Sequence, residues 1–215
     1  MHWCRAWIWV LATLLFATPV FANEDNEHPK FRVDGARLIY DTENAPEGVG
    51  AEIEVEDADA LREILRAHPD ISVLELNSGG GSLWASMKMS DIVIDFELDT
   101  HVHGDCSSTC ARLFVAETTR TMSRGSRIGF HQSWWTADSI QEYYDGNTEE
   151  ERWDTPFEFA SWMYGDTQGE VHKALLYLVR RGVDPLFAIE TLKEPSSGMW
   201  YPYRIRLLAA GVLTQ

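Results

Sequence analysis

The stretch ISVLELNSGGGSLWASMKMSDIVI, Ile71 to Ile94, constrains the fold more than any other part of the chain. Ile71 to Leu76 reads as a buried strand, and the glycines that follow permit a sharp turn. Leu83, Trp84, Met87 and Ile94 then recur near helical spacing. Strand-like stretches are also read at Ala36 to Tyr40, Ala51 to Val55, around Val102 and at Arg127 to His131. Asp57 predicts the N-cap of a helix that runs to about Ala67, with Leu61, Ile64 and Leu65 on one face and Pro69 beyond its end. Glu170 to Arg181 reads as a helix with acid at its start and arginine at its end. Asp184-Pro185 opens another, and Arg204 to Ala210 is a short last one. Strand alternating with helix predicts an α/β fold, with helices packed on a largely parallel sheet in a single domain.

Two ends of the composition set the compartment and the partners. Arg5 precedes an apolar run from Ala6 to Phe21, short of the ~20 residues of a membrane span, and VFA at Val20 to Ala22 has the small residues of a cleavage site. Residues 1–22 therefore read as a secretory signal peptide, 23–35 as a flexible mature terminus and 36–215 as the domain. An aromatic and acidic surface insertion is expected at about 134–156. The expected location is periplasmic or secreted. A formal charge of -16 argues against nucleic acid, and against an anionic membrane surface once the leader is gone, because both require a basic face.

The chemistry-bearing stretch is HGDCSSTCARLF, His103 to Phe114. Taken alone, a serine at the start of a helix is ordinarily a cap. The balance moves with His131. A helix of ~10 residues travels about 15 Å and a return strand of ~6 covers about 20 Å, so the imidazole comes back near the serines and can serve one of them as base. Cys106 and Cys110 read equally well as a short bridge or as two packed thiols. A metal site shared with His101 and His103 is the weaker reading. NSGGGS lacks the lysine of a phosphate-binding P-loop and reads as well as a tight turn.

Four pieces in order resemble the Clp protease and crotonase superfamily, specifically its Clp-protease-like serine peptidase branch with secreted or periplasmic relatives. They are LNSGGGS at Leu76 to Ser82, GDCSSTCA at Gly104 to Ala111, RIGFHQ at Arg127 to Gln132 and LLAAGVL at Leu207 to Leu213. The resemblance implies a spiral of ββα units, with Ser108 rather than Ser107 as nucleophile, His131 as base, and the Gly80 and Thr109 amides as oxyanion donors. It implies self-assembly as a further property. Gly81, Trp134 and Trp135 are expected to contact substrate. The position of the family's orienting aspartate is held by Met199, whose thioether cannot hold an imidazolium. Glu194, or Glu190, is then the candidate third member; a Ser-His dyad and an inactive scaffold are the alternatives.

The expected function is a serine hydrolase acting on peptides or proteins, without metal or organic cofactor. A catalytically inactive peptide-binding module is the second reading. A CoA-ester enzyme is disfavoured for a chain outside the cytoplasm.

Overall fold

The computed structural model describes residues 28–151 and 153–215, so the leader read at 1–22 lies outside the described residues. The strands are β1 (Phe31–Asp34), β2 (Arg37–Asp41), β3 (Val73–Ser78), β4 (Asp99–Ser107), β5 (Arg120–Met122) and β6 (Arg127–Gly129). The helices are α1 (Val55–Ala67), α2 (Leu83–Asp95), α3 (Thr109–Phe114), α4 (Ala137–Glu151), α5 (Pro156–Arg180), α6 (Pro185–Glu190) and α7 (Arg204–Ala209). The sheet order is β1-β2-β3-β4-β5, with β6 also on β4. Among the strand pairs of the described residues, only β1–β2 is antiparallel.

β4 organises the sheet. Its first half pairs with β5 through Thr100 to Val102, and its second half pairs with β6 through Asp105 to Ser107. Two short strands thus share one edge end to end, and the second delivers the residues after Gly129 to the C-terminal end of β4. On the other edge the register with β3 shifts between Leu76 and Ser78. Gly104 lies at this irregularity with φ +110, its Cα set against the Asn77 amide, a position where a Cβ would collide. Asn77 Oδ1 accepts the Asp105 amide at 2.9 Å.

The core lies between the sheet and α1, α2 and α3, with Leu38, Tyr40, Leu74, Leu76 and Val102 facing Leu61, Leu65, Met89, Ile92, Leu113 and Phe114. Trp84 and Met87 do not belong to it. The inward face of α2 is Ala85, Ser86, Met89, Ser90, Ile92 and Val93, small enough for close approach, while Trp84 is 54% exposed. The two serines satisfy their hydroxyls locally, Ser86 on the Thr109 carbonyl and Ser90 on that of Ser86.

Several elements differ from the sequence reading. Of the stretch expected to be a flexible terminus, 23–27 lie outside the described residues, while β1 is ordered because Phe31 stacks on Tyr40 and Lys30 is buried. Ala51 to Val55 is not a strand, only Ile53 bridging Gly81. Asp57 is not the cap of α1. Glu54 is, and Asp57 closes a capping box at the third helical position while holding Lys30 at 3.1 Å and the Tyr40 hydroxyl at 2.6 Å. The insertion at 134–156 carries α4 and the start of α5, joined by packing of Tyr143, Tyr144, Trp153, Phe159 and Trp162. Its weak periodicity reflects a ring cluster rather than an apolar stripe. β5, Arg-Thr-Met, is not among the strands expected, because a three-residue strand that opens on a buried arginine carries no apolar alternation.

Arg120, buried at the start of β5, donates to the main-chain carbonyls of Val115, Glu117, Arg181, Gly211 and Val212. One guanidinium thereby ties the ends of α3 and α5 to the chain's C-terminal segment. Burial pushes its pKa below the ordinary guanidinium range, but a guanidinium stays charged under any folding condition. Arg120→Met leaves these buried carbonyls without a donor and is expected to lower stability by about 3 kcal/mol or more in urea unfolding. A loss under about 1 kcal/mol would show that water replaces the guanidinium.

Candidate active site

Ser108 sits between β4 and α3 with φ 57 and ψ -125, a region that L side chains rarely occupy. It is the N-cap of α3 by position, yet its side chain makes no capping bond. Instead its Oγ lies 2.7 Å from His131 Nε2. The main chain makes this meeting possible, since the Ser108 amide donates to the Gly129 carbonyl at 3.0 Å and so docks the nucleophile turn on the end of β6. Ser107 is turned the other way. Its hydroxyl is buried on Asp105 and faces the Tyr201 hydroxyl at 3.3 Å, which makes it a structural residue.

Cys106 and Cys110 are joined, with Cα atoms 5.2 Å apart. Four residues suffice because Cys106 is still in β4 and Cys110 is in the first turn of α3, so the reversal at Ser108 supplies the non-helical path. The bridged sulfurs are not metal ligands. His101 is held by Thr121 and Ser123, and His103 by Ser123.

The glycine run packs against this turn. A Cβ on Gly80, whose φ is +104, would meet the Ser107 carbonyl, Ser108 Cβ and the Thr109 amide, so only glycine allows β3 to end here. Gly80 and Thr109 are thus brought together as the resemblance implied. The amides are differently employed. Gly80 N–H donates to Ser78 Oγ at 3.2 Å and Gly81 N–H donates to Thr109 Oγ1 at 2.9 Å, so both glycine donors are engaged by hydroxyls.

His131 is held by the residues on either side. Phe130 and Trp200 exchange two main-chain hydrogen bonds of 2.9 Å in an antiparallel bridge, which puts Met199 in register opposite His131. Glu194 is not the third member. Its carbonyl accepts the Gln132 amide at 2.9 Å and its carboxylate folds over Gly198, where a Cβ would strike it. Glu190 pairs with Arg206. His131 Nδ1 is buried with no hydrogen-bond partner among the described residues. Burial therefore pushes the ring below its ordinary 6.5, opposed by the main chain of Gln132, which does not reach hydrogen-bond geometry with Nδ1. A neutral ring with its proton on Nδ1 is an acceptor at Nε2 and can take the Ser108 proton.

Ser108 and His131 open into a cleft of about 900 Å³ lined also by Glu52, Glu54, Glu56, Trp134, Trp135 and Met199. On the other side of Ser108 a second depression of about 540 Å³ is walled by Leu83, Trp84, Met87, Trp134 and Trp135. Trp134 and Trp135 are 56% and 49% exposed, and the Trp134 ring centre is 5.2 Å from that of His131. The glutamate rim was not read from the sequence. AEIEVE at Ala51 to Glu56 carries the signal, but its alternation read as a strand.

No family model and no curated protein matches the chain. Among solved structures, a mutant ClpP1 from Listeria monocytogenes superposes with a TM-score of 0.53 at 14% identity, over 76% of this chain and 85% of that one. The fold is ClpP-like.

Because burial without a paired carboxylate favours the neutral ring, the His131 imidazole is expected to titrate with a midpoint below 6.5. NMR of the ring protons checks this. A midpoint at or above 6.5 would reveal a carboxylate partner in solution.

Proposed function

We propose that the protein is a serine hydrolase that cleaves peptides with a Ser108–His131 dyad. The observation that carries this reading is the 2.7 Å contact between the two side chains at the floor of an open cleft. Ser108 Oγ bonds to the substrate carbonyl carbon as its proton passes to His131 Nε2, and the carbonyl π pair moves to oxygen. The Thr109 amide is one donor to that oxyanion. A glycine amide, Gly80 or Gly81, is the second once it exchanges its hydroxyl partner for the stronger acceptor. Collapse returns the electron pair, breaks the C–N bond and passes the His131 proton to the leaving amine. Water then repeats the cycle to release the acid and restore Ser108.

We further propose that the mature protein works outside the cytoplasm, on the strength of the apolar leader at Ala6 to Phe21 and the bridge at Cys106–Cys110. Self-assembly is proposed on the exposed Leu186, Tyr203 and Ile205, at 73%, 85% and 78%.

A second reading, a peptide-binding module without turnover, is favoured by one specific observation. His131 Nδ1 lacks the acid that would orient the ring, and Met199 stands opposite. A fluorophosphonate probe separates the two. Labelling of wild type that disappears in Ser108→Ala and falls by about 10²-fold or more in His131→Ala supports the hydrolase. Wild type that does not label supports the module. Met199→Asp is expected to raise the labelling rate by about tenfold or more and to move its acid midpoint upward, since a carboxylate favours the imidazolium.

A further inference from the structure

We propose that the cleft selects peptides carrying a cationic side chain, arginine or lysine, beside the scissile bond. This deepens the peptide-hydrolase reading and rests on it. Its basis is an imbalance of charge on one wall of the cleft. Glu52, Glu54 and Glu56 all line it, and among the described residues no lysine or arginine lines either depression around Ser108.

The nearest ammonium is already consumed. Lys30 Nζ lies beneath that wall, 2% exposed, bonded to the Glu52 carbonyl at 2.8 Å and to Glu54 and Asp57. One cation thus faces two carboxylates of its own, and the Glu52 and Glu56 carboxylates have no ion-pair partner among the described residues. Both are exposed and project a negative field into a concave, partly apolar space where counter-charge concentrates.

The rest of the lining suits the same ligand. Trp134 and Trp135 line the cleft about half exposed, and indole rings attract guanidinium and ammonium groups. The molecule itself uses this contact, with Lys88 5.3 Å from the ring centre of Trp84 at the second depression and Lys193 3.7 Å from that of Trp200. A side chain reaching from Ser108 between the indoles and the glutamates finds apolar surface for its stem and carboxylates for its head. Arginine and lysine have that shape.

The test is binding to the Ser108→Ala protein, so that turnover plays no part. End-blocked, otherwise uncharged hexapeptides carrying arginine at each position in turn are compared with the same peptides carrying uncharged citrulline, by calorimetry. At one position or more, arginine is expected to bind about three- to tenfold more tightly at low salt. That advantage should vanish in Glu52→Gln/Glu56→Gln and shrink at 1 M salt, where charges beyond about 3 Å are screened. Equal binding of the two series, an advantage that survives both glutamine substitutions, or no peptide binding at all would overturn the proposal. A clear arginine preference in a wild-type protein that neither labels nor cleaves would instead sink the hydrolase reading and leave the selectivity standing.

Discussion

The reversal of the chain at Ser108 is the constraint on which the site depends. A non-glycine residue at φ 57 persists only where its surroundings determine it. Here they do so from every side. β3 and β6 fix the strand that leads into the turn, the Cys106–Cys110 bridge spans it, the Gly129 carbonyl holds its amide, and Gly80 closes over it. With the backbone so held, the serine side chain is lifted away from the cap position it would ordinarily occupy and is left free for the imidazole.

The electrostatics of the pair differ from those of a triad. With a carboxylate behind it, a histidine is oriented and its charged form stabilised. His131 is oriented instead by the Phe130–Trp200 bridge on its N-terminal side and by Gln132 on the Glu194 carbonyl on the other. Orientation comes from backbone, while the help a carboxylate gives to the imidazolium is absent among the described residues. The rate such a pair can reach is set by how well the oxyanion donors make up the difference, and both glycine donors begin occupied.

Much of this was legible in the sequence, for identifiable reasons. Ile71 to Ile94 announced a strand, a glycine turn and a helix because Ile71, Val73, Leu74 and Leu76 give a central strand its largely apolar character and a turn with positive φ favours glycine. Ser108 and His131 could be paired because a serine at a helix start and a histidine after a later strand return to one sheet end, although α3 is 6 residues, β6 is 3 and β5 lies between them, a shorter and more broken path than the helix and strand expected. What failed was what depends on the partner rather than the residue. Trp84 and Met87 lie on an apolar stripe that faces a cleft instead of the core, a distinction periodicity cannot make. Glu194 is close to the base in sequence but folds over Gly198, and nothing local indicates which way a carboxylate will turn. The amide occupancy of Gly80 and Gly81 depends on hydroxyls from Ser78 and Thr109, and rotamers leave no trace in a string of letters.

Arg120 carries a consequence for how the chain reaches this state. Two of its acceptors, the Gly211 and Val212 carbonyls, lie 91 and 92 residues further along the chain, and Thr214 adds one main-chain bond and one hydroxyl acceptor to the same residue. Contacts so distant in sequence carry a loop-closure cost that must be met before they reward it. The β5 edge of the sheet therefore gains this tie late in folding, after the nearby Val115 and Glu117 carbonyls are already within the guanidinium's reach.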